Sequence, residues 1–308
     1  MSTIDNAKRQ RLWQAILWTL RLTVALQCLG NWRWLTQIEE TPLLHWMLDP
    51  SDIGGLTWRE STALLVQQVA GWFVLLAGGL LLWRPHAVLL VPLVVLQLFI
   101  TIAMWRIADG YPLQAVWLPP QLLTLFPFVT QIGRIAAPLG LLLICQWESG
   151  AGAGQRRIDR AMQMLRYSVA IVFLAHGIEA WQLNPKFVDL IINSAQRVAG
   201  LNISESAAEV CLASIGGIDM MIAIACVGVR SRTVMWWMAF WGFATALSRL
   251  VANGWQMSWH ETFARAPHFG IPLAVALWWL LLECRGSAKN EHEPASSLGK
   301  NQSVSATT

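Results

Sequence analysis

RLTVA at residues 21–25 returns as RYSVA at residues 166–170, and four residues later each copy reaches a leucine. The offset of 145 residues also aligns three further segments: GL at 55–56 with 200–201, ES at 60–61 with 205–206, and single glycines at 71 and 216. With a slightly smaller offset, RIADG at 106–110 matches RLVANG at 249–254. The chain is therefore predicted to contain two copies of one structural unit in tandem.

The composition of the chain indicates a membrane protein. Hydrophobic residues make up 55% of it and charged residues only 13%, whereas soluble domains carry about 25% charged residues. Nineteen Trp against two Tyr fit a membrane-embedded chain, because Trp is enriched at the boundary between lipid and water. The net charge of +4 is explained by basic residues beside the membrane, so we predict no nucleic-acid partner.

Eight segments are apolar over about the 20 residues that a helix needs to cross a bilayer. Backbone in contact with lipid has to satisfy its own hydrogen bonds, so the segments are predicted to be helices. We therefore predict an all-α polytopic membrane protein made of two tandem four-helix bundles. The predicted spans are 13–35, 61–83, 87–106, 122–146, 163–182, 207–229, 233–251 and 264–283.

The basic residues predict the orientation of the spans. Five basic segments fall on one side of the membrane if there are eight spans, and Lys and Arg accumulate on the cytoplasmic side. Both termini are then cytoplasmic, the two units run parallel to each other, and the protein belongs in a bacterial-type inner membrane. The five segments contain Lys8, Arg9 and Arg11; Arg84; Arg156, Arg157 and Arg160; Arg230 and Arg232; and Arg285, Lys289 and Lys300.

Composition divides the chain into four parts. Residues 1–147 form the first unit, 148–162 a basic cytoplasmic linker, 163–286 the second unit, and 287–308 a polar cytoplasmic tail predicted to be disordered. Each unit has a long outer loop after its first span. In the second unit, the segment FVDLIINSAQRV at 187–198 has apolar residues near helical spacing and predicts an amphipathic helix. An interfacial segment is also predicted around residues 43–48.

Ionisable residues inside the predicted spans mark the candidate site, because a charge at bilayer depth costs roughly 3 kcal/mol. His176 and Glu179 are three residues apart and share a helix face. A His–carboxylate pair of this kind either moves a proton or holds two helices together, and the sequence leaves both open. Gly177 between them predicts close approach of another helix. Asp219 lies deep in the sixth span, where the first unit has Val74.

A second polar group begins the eighth span. Glu261, Arg265 and His268 share a helix face, so the spacing favours a Glu261–Arg265 pair that leaves His268 facing a cavity, with an anchor between helices as the alternative. The candidate cofactor-binding residues are therefore His176, Glu179, Asp219, Arg265 and His268. A metal could use the His and carboxylate residues of this region, and a haem could use His176 and His268. No compact ligand motif such as H-E-x-x-H is present, so we predict neither.

The pattern R-x-x-V-A followed in the second unit by FLAHG at 173–177 resembles the DoxX-like family of four-helix membrane proteins. The resemblance extends over about 160–285 and, less closely, over about 15–147. The family takes its name from a subunit linked to thiosulfate:quinone oxidoreduction, so the resemblance implies a quinone as the cofactor. This sequence departs from the family pattern in two places. Glu179 stands where a Lys is frequent, and Asn31 replaces the His in the first unit.

Three functions fit these residues. The first is a redox accessory subunit that binds a quinone or a lipid-like cofactor and contacts a redox partner. The second is a non-catalytic scaffold or assembly subunit for another membrane protein. The third, a transporter or lipid-binding protein, is disfavoured because the predicted repeats are parallel and lack paired broken helices. No phosphate-binding loop, nucleophile elbow or C-x-x-C-H motif occurs, so the sequence predicts at most a subunit of a membrane oxidoreductase.

Overall fold

The computed structural model of the chain describes residues 3–37, 41–49, 55–107, 125–145 and 154–290. Within these ranges the regular structure is entirely helical. The helices are α1 (Thr3–Gln37), α2 (Pro42–Leu48), α3 (Glu60–Trp83), α4 (Ala87–Arg106), α5 (Phe126–Val129), α6 (Ile132–Cys145), α7 (Gly154–Trp181), α8 (Pro185–Ala199), α9 (Glu205–Gly228), α10 (Arg232–Asn253), α11 (Trp255–Ala264) and α12 (Ala266–Asn290).

Eight helical segments in the described chain are long and apolar enough to cross a membrane. Six are the single helices α1, α3, α4, α7, α9 and α10. The other two are continuous pairs, α5 with α6 and α11 with α12. The predicted all-α architecture with eight helical segments long and apolar enough to span a membrane is confirmed, because each predicted span falls on one of these segments.

The first, fifth and last spans extend furthest beyond the predicted boundaries, and the last begins at Trp255 instead of at 264. α1 begins at Thr3, and α7 begins at Gly154, so residues 154–162 of the predicted linker are the first turns of a helix. α12 continues to Asn290 and includes residues 287–290 of the predicted tail. The remaining linker and tail predictions, for 148–153 and 291–308, lie outside the described residues.

Helix packing interlocks the two halves of the chain. α1 packs along α3, and α7 packs along α9 in the corresponding way. α1 also packs along α11 and α12 of the second half, while α7 packs on α6 of the first half. A large apolar core therefore takes residues from both halves, such as Leu20 and Leu141 from the first and Leu165 and Met235 from the second.

Glycines allow the closest helix contacts around the second half. A Cβ at Gly216 of α9 would lie 2.6 Å from the carbonyl oxygen of Gly177 and 3.1 Å from the carbonyl carbon of Ala180. The predicted close approach at Gly177 is thus made by α9. A Cβ at Gly242 of α10 would likewise overlap the backbone of His268. Small residues at such contacts let membrane helices pack backbone to backbone.

The amphipathic helix predicted in the second outer loop is present as α8, and the segment predicted around 43–48 is present as α2. Each helix begins with a proline, whose missing N–H costs nothing in a first turn. Each is capped by a side-chain oxygen: Thr41 accepts from the N–H of Leu44, and Asn184 accepts from the N–H of Lys186. α8 packs on both α9 and α10 and closes the space between them at one end.

The last span is broken at Arg265 because a proline, Pro267, follows two residues later. Pro267 has no N–H to donate to Phe263, the residue four positions earlier. The N–H of Arg265 still reaches Glu261 and Thr262, and the N–H of His268 turns back to the carbonyl of Arg265 at 2.9 Å. The break ends α11 and starts α12 beside the site described next.

Candidate functional site

A cavity of about 330 Å³ lies in the second half, lined by α7, α8, α9, α10 and the α11–α12 span. Most of its wall is apolar, with Val172 and Phe173 from α7 and Leu212 and Ile215 from α9. This volume is at the lower end of the range for small-molecule sites, which are typically apolar with a few placed polar groups. We call it the second-half cavity.

His176 enters the second-half cavity from α7 with its ring orientation fixed by Glu179. Nδ1 of His176 lies 2.6 Å from Oε2 of Glu179, one turn further along the same helix. The Glu179 side chain is only 3% exposed and does not line the cavity. Glu179 therefore acts behind His176, and Nε2 of the imidazole is the atom left for a molecule in the cavity.

His268 lies directly against His176 in the cavity wall. The two rings meet edge to face, with centroids 5.4 Å apart and an interplanar angle of 72°. His268 is 6% exposed, and its Nε2 has no hydrogen-bond partner in the described chain. Because the rings touch directly, there is no room between them for a porphyrin, so this pair does not form the two axial ligands of a haem.

Asp219 lines the cavity from α9, one turn further into the membrane than the Gly216 contact. It is 7% exposed and lies beside the indole of Trp241 on α10. Its Oδ1 accepts no hydrogen bond from the residues the structure describes. Asp219 therefore presents an acceptor to the cavity.

Arg265 lines the cavity, but the pairing predicted for it is wrong. Glu261 pairs with Arg249 of α10, whose Nη1 lies 3.2 Å from Oε2 of Glu261. Arg265 forms no ion pair with any described carboxylate. The i,i+4 spacing of Glu261 and Arg265 favours a local pair by only about 0.2–0.5 kcal/mol, and the tertiary contact with Arg249 replaces it.

Four of the five predicted site residues thus line one cavity: His176, Asp219, Arg265 and His268. Sequence analysis missed the contribution of α10. Thr245, Ser248 and Arg249 line the cavity and lie on one face of that helix. Their i, i+3, i+4 spacing near the end of the span was the available signal. His260, next to Glu261, is buried but lies outside the cavity lining.

The corresponding place in the first half is nearly closed. A space of only about 10 Å³ remains among Asn31, Val74 and their neighbours, the positions that align with His176 and Asp219. Amide side chains fill it: Asn31 Nδ2 donates to Gln97 Oε1 at 2.9 Å, and Gln27 Nε2 donates to the carbonyl of Arg134 at 2.8 Å. The open cavity is a feature of the second half.

Metal ligation finds no support in the described ranges, where no group of three or more His, Cys, Asp or Glu residues is placed to hold an ion.

The chain matches no family model, no curated protein sequence and no solved structure. The cavity and its polar residues are therefore the basis for a functional proposal.

Proposed function

We propose that the protein is an accessory subunit of membrane redox metabolism that binds a quinone-like or lipid-like molecule in the second-half cavity. The observation that carries the proposal is the combination of a mostly apolar wall with His176, Asp219, Arg265 and His268. A lipid-soluble molecule buries its apolar part against such a wall and orients its polar head by a few hydrogen bonds.

The paired histidines suit the head of a quinone. A quinone carbonyl accepts hydrogen bonds, and its reduction to the quinol takes up two electrons and two protons. His176, held by Glu179, and His268, with a free ring nitrogen, are groups of the kind that donate such hydrogen bonds and relay protons. The electrons would come from a redox partner protein.

The duplicated DoxX-like organisation and the cytoplasmic placement of both termini remain part of this proposal. The duplication is supported by equivalent structural features at the aligned positions. α2 and α8 follow the first span of each half, and Glu60 and Glu205 begin the next helix. Gly71 and Gly216 each make a close contact with the preceding span. An inner-membrane location follows from the same orientation argument.

Mass spectrometry of organic extracts from the purified, detergent-solubilised protein tests the proposal. Ala244 lines the cavity, so Ala244→Trp places an indole inside it. Phe240 is on the same helix but 62% exposed on the lipid-facing surface, so Phe240→Trp is the matched control. We expect a quinone or another defined lipid at near-stoichiometric amount in the wild type and the control, and its loss in Ala244→Trp.

The same measurement separates the proposal from the scaffold alternative. If wild type and both variants carry only the bulk phospholipids in equal amounts, the cavity holds no specific lipid. A stable complex with a second membrane protein, unaffected by Ala244→Trp, would then favour a scaffold or assembly subunit.

A further inference from the structure

The polar groups of the second-half cavity are ordered by depth. The two histidines, His176 and His268, lie at the level where Gly242 of α10 contacts the backbone of His268. Arg249 is seven residues further along α10, about 10 Å towards the end that α8 covers, and Arg265 precedes His268 in the same direction. Asp219 lies near the level of the histidines, because its neighbour Met220 meets Gly177, the residue after His176. The end of the cavity that α8 covers is thus basic.

Positive charge exceeds negative charge at the basic end. Arg249 has its partner in Glu261, but Arg265 lines the cavity without an ion-pair partner in the described chain. Arg134 on α6 is 8% exposed, and its Nε is buried without a hydrogen bond. Three guanidinium groups therefore face two carboxylates, Glu261 and the histidine-bound Glu179.

Arg134 reaches this region from the first half of the chain. Its neighbour Gly133 is in contact with the cavity wall, since a Cβ there would lie 3.5 Å from Cγ2 of Val172 and 3.9 Å from Cδ2 of His268. Arg134 itself is buried next to this contact. The first half thus supplies a charge beside a cavity that is lined by the second half.

An unpaired guanidinium at membrane depth is costly, at roughly 3 kcal/mol on insertion scales, and such charges normally have a partner. The planar fork of Arg binds phosphate and carboxylate oxygens in a bidentate manner. The free Nε2 of His268 adds a further donor when protonated at that atom. An anion at the basic end would pair with Arg265 and offset the excess charge of Arg134.

From this arrangement we infer that the molecule bound in the second-half cavity carries an anionic headgroup, a phosphate or carboxylate, held by Arg265 and His268 beside Arg249. Its apolar chain extends away from that end along Val172 and Phe173 of α7. The inference rests on the proposed function, because it uses the same cavity. It adds the charge of the headgroup and the contribution of the first half.

Binding of matched amphiphiles to the full-length, delipidated protein tests the inference. Native mass spectrometry and thermal shift would compare dodecyl phosphate, dodecanoate, decylubiquinone as a neutral quinone, and inorganic phosphate. We expect the two chain-bearing anions to bind at least about tenfold more tightly than the neutral quinone, because charge-assisted hydrogen bonds are about twice as strong as neutral ones. Inorganic phosphate alone should bind weakly, since it leaves the apolar wall uncovered.

Three substitutions locate the binding. Arg265→Gln should remove about tenfold or more of the affinity for dodecyl phosphate, and Arg265→Lys should retain part of it. Arg134→Gln should lower the affinity for the same ligand by a smaller factor, because Arg134 attracts the anion through its charge without contacting it. Arg230→Gln, a change at an exposed arginine outside the cavity, is the control and should have no effect.

The outcomes separate this inference from the proposed function. If decylubiquinone binds as tightly as the anions and Ala244→Trp abolishes its binding, the cavity site stands and the anionic headgroup is refuted. If inorganic phosphate binds as tightly as dodecyl phosphate, the anion is a soluble one and the lipid headgroup is refuted. If none of the chain-bearing molecules responds to Ala244→Trp, the proposed function itself fails. If Arg265→Gln does not fold, Arg134→Gln decides the question. The inference stands if this variant loses preference for dodecyl phosphate over decylubiquinone, and it is refuted if the preference is unchanged.

Discussion

Gly216→Ala should destabilise the protein by about 2 kcal/mol, because it separates the two helices that position His176. The new Cβ would lie 2.6 Å from the carbonyl oxygen of Gly177 and 3.1 Å from the carbonyl carbon of Ala180. These are backbone atoms, so α7 and α9 have to move apart. Overpacking typically costs about 1–3 kcal/mol, and we take the upper end. Replacing a helical glycine by alanine returns about 0.5–1 kcal/mol.

The neighbouring glycine provides a matched control. A Cβ at Gly217 would meet only the ring of Trp181, at an ordinary contact distance of 3.4 Å. Gly217→Ala should therefore be neutral or more stable by about 0.5–1 kcal/mol. Each variant adds one methyl group to α9, and the two sites are one residue apart. Their free energies of unfolding should differ by about 2–3 kcal/mol.

Thermal unfolding in detergent, followed by circular dichroism or by size-exclusion chromatography after heating, measures the difference. We expect Gly216→Ala to unfold several degrees below Gly217→Ala, since about 1 kcal/mol corresponds to roughly 2–4 °C for chains of 150–250 residues. Gly216→Ala should also weaken ligand binding, because His176 moves relative to Asp219. Equal stability of the two variants would refute the close helix packing on which the cavity geometry depends.

Three further predictions follow from the same structure. Asn184→Ala should cost about 1 kcal/mol by removing the cap of α8, seen as faster hydrogen exchange in α8 with α9 unchanged. Equal exchange in both proteins would argue against the cap. Glu261→Gln should cost at most about 1 kcal/mol, because its ion pair with Arg249 is partly exposed, and should tighten dodecyl phosphate binding by freeing Arg249. Weaker binding would contradict this. In a cysteine-free background, Thr57→Cys should react with an impermeant maleimide from outside the cell and Arg84→Cys only after permeabilisation. The reverse pattern would overturn the proposed orientation.

The fold was predictable because each span is a long apolar stretch and lipid leaves the backbone no alternative to a helix. The amphipathic helix α8 was also predictable, since Phe187, Leu190 and Ile191 follow helical spacing and all line the cavity. The helical start of α7 at Gly154 was not, because residues 154–162 are polar and basic. Composition locates the membrane boundary but not the end of a helix that continues past it.

The site was predictable only in part. Ionisable residues at membrane depth marked His176, Asp219 and Arg265, because their cost indicates a partner or a function. The role of Arg249 was not visible, because a sequence gives spacing within one helix and not contact between helices. Its pairing with Glu261 depends on how α10 and α11 meet, and the contribution of α6 depends on how the halves interlock.

Electron cryo-microscopy of the full-length protein in lipid nanodiscs, with no ligand added, would show whether the second-half cavity holds a bound amphiphile. We expect elongated non-protein density there, with its head beside Arg265 and His268 and its chain along Val172 and Phe173. The first half should show no such density at Asn31 and Gln97. A second-half cavity that holds only water, or one filled by rearranged side chains, would refute the bound amphiphile.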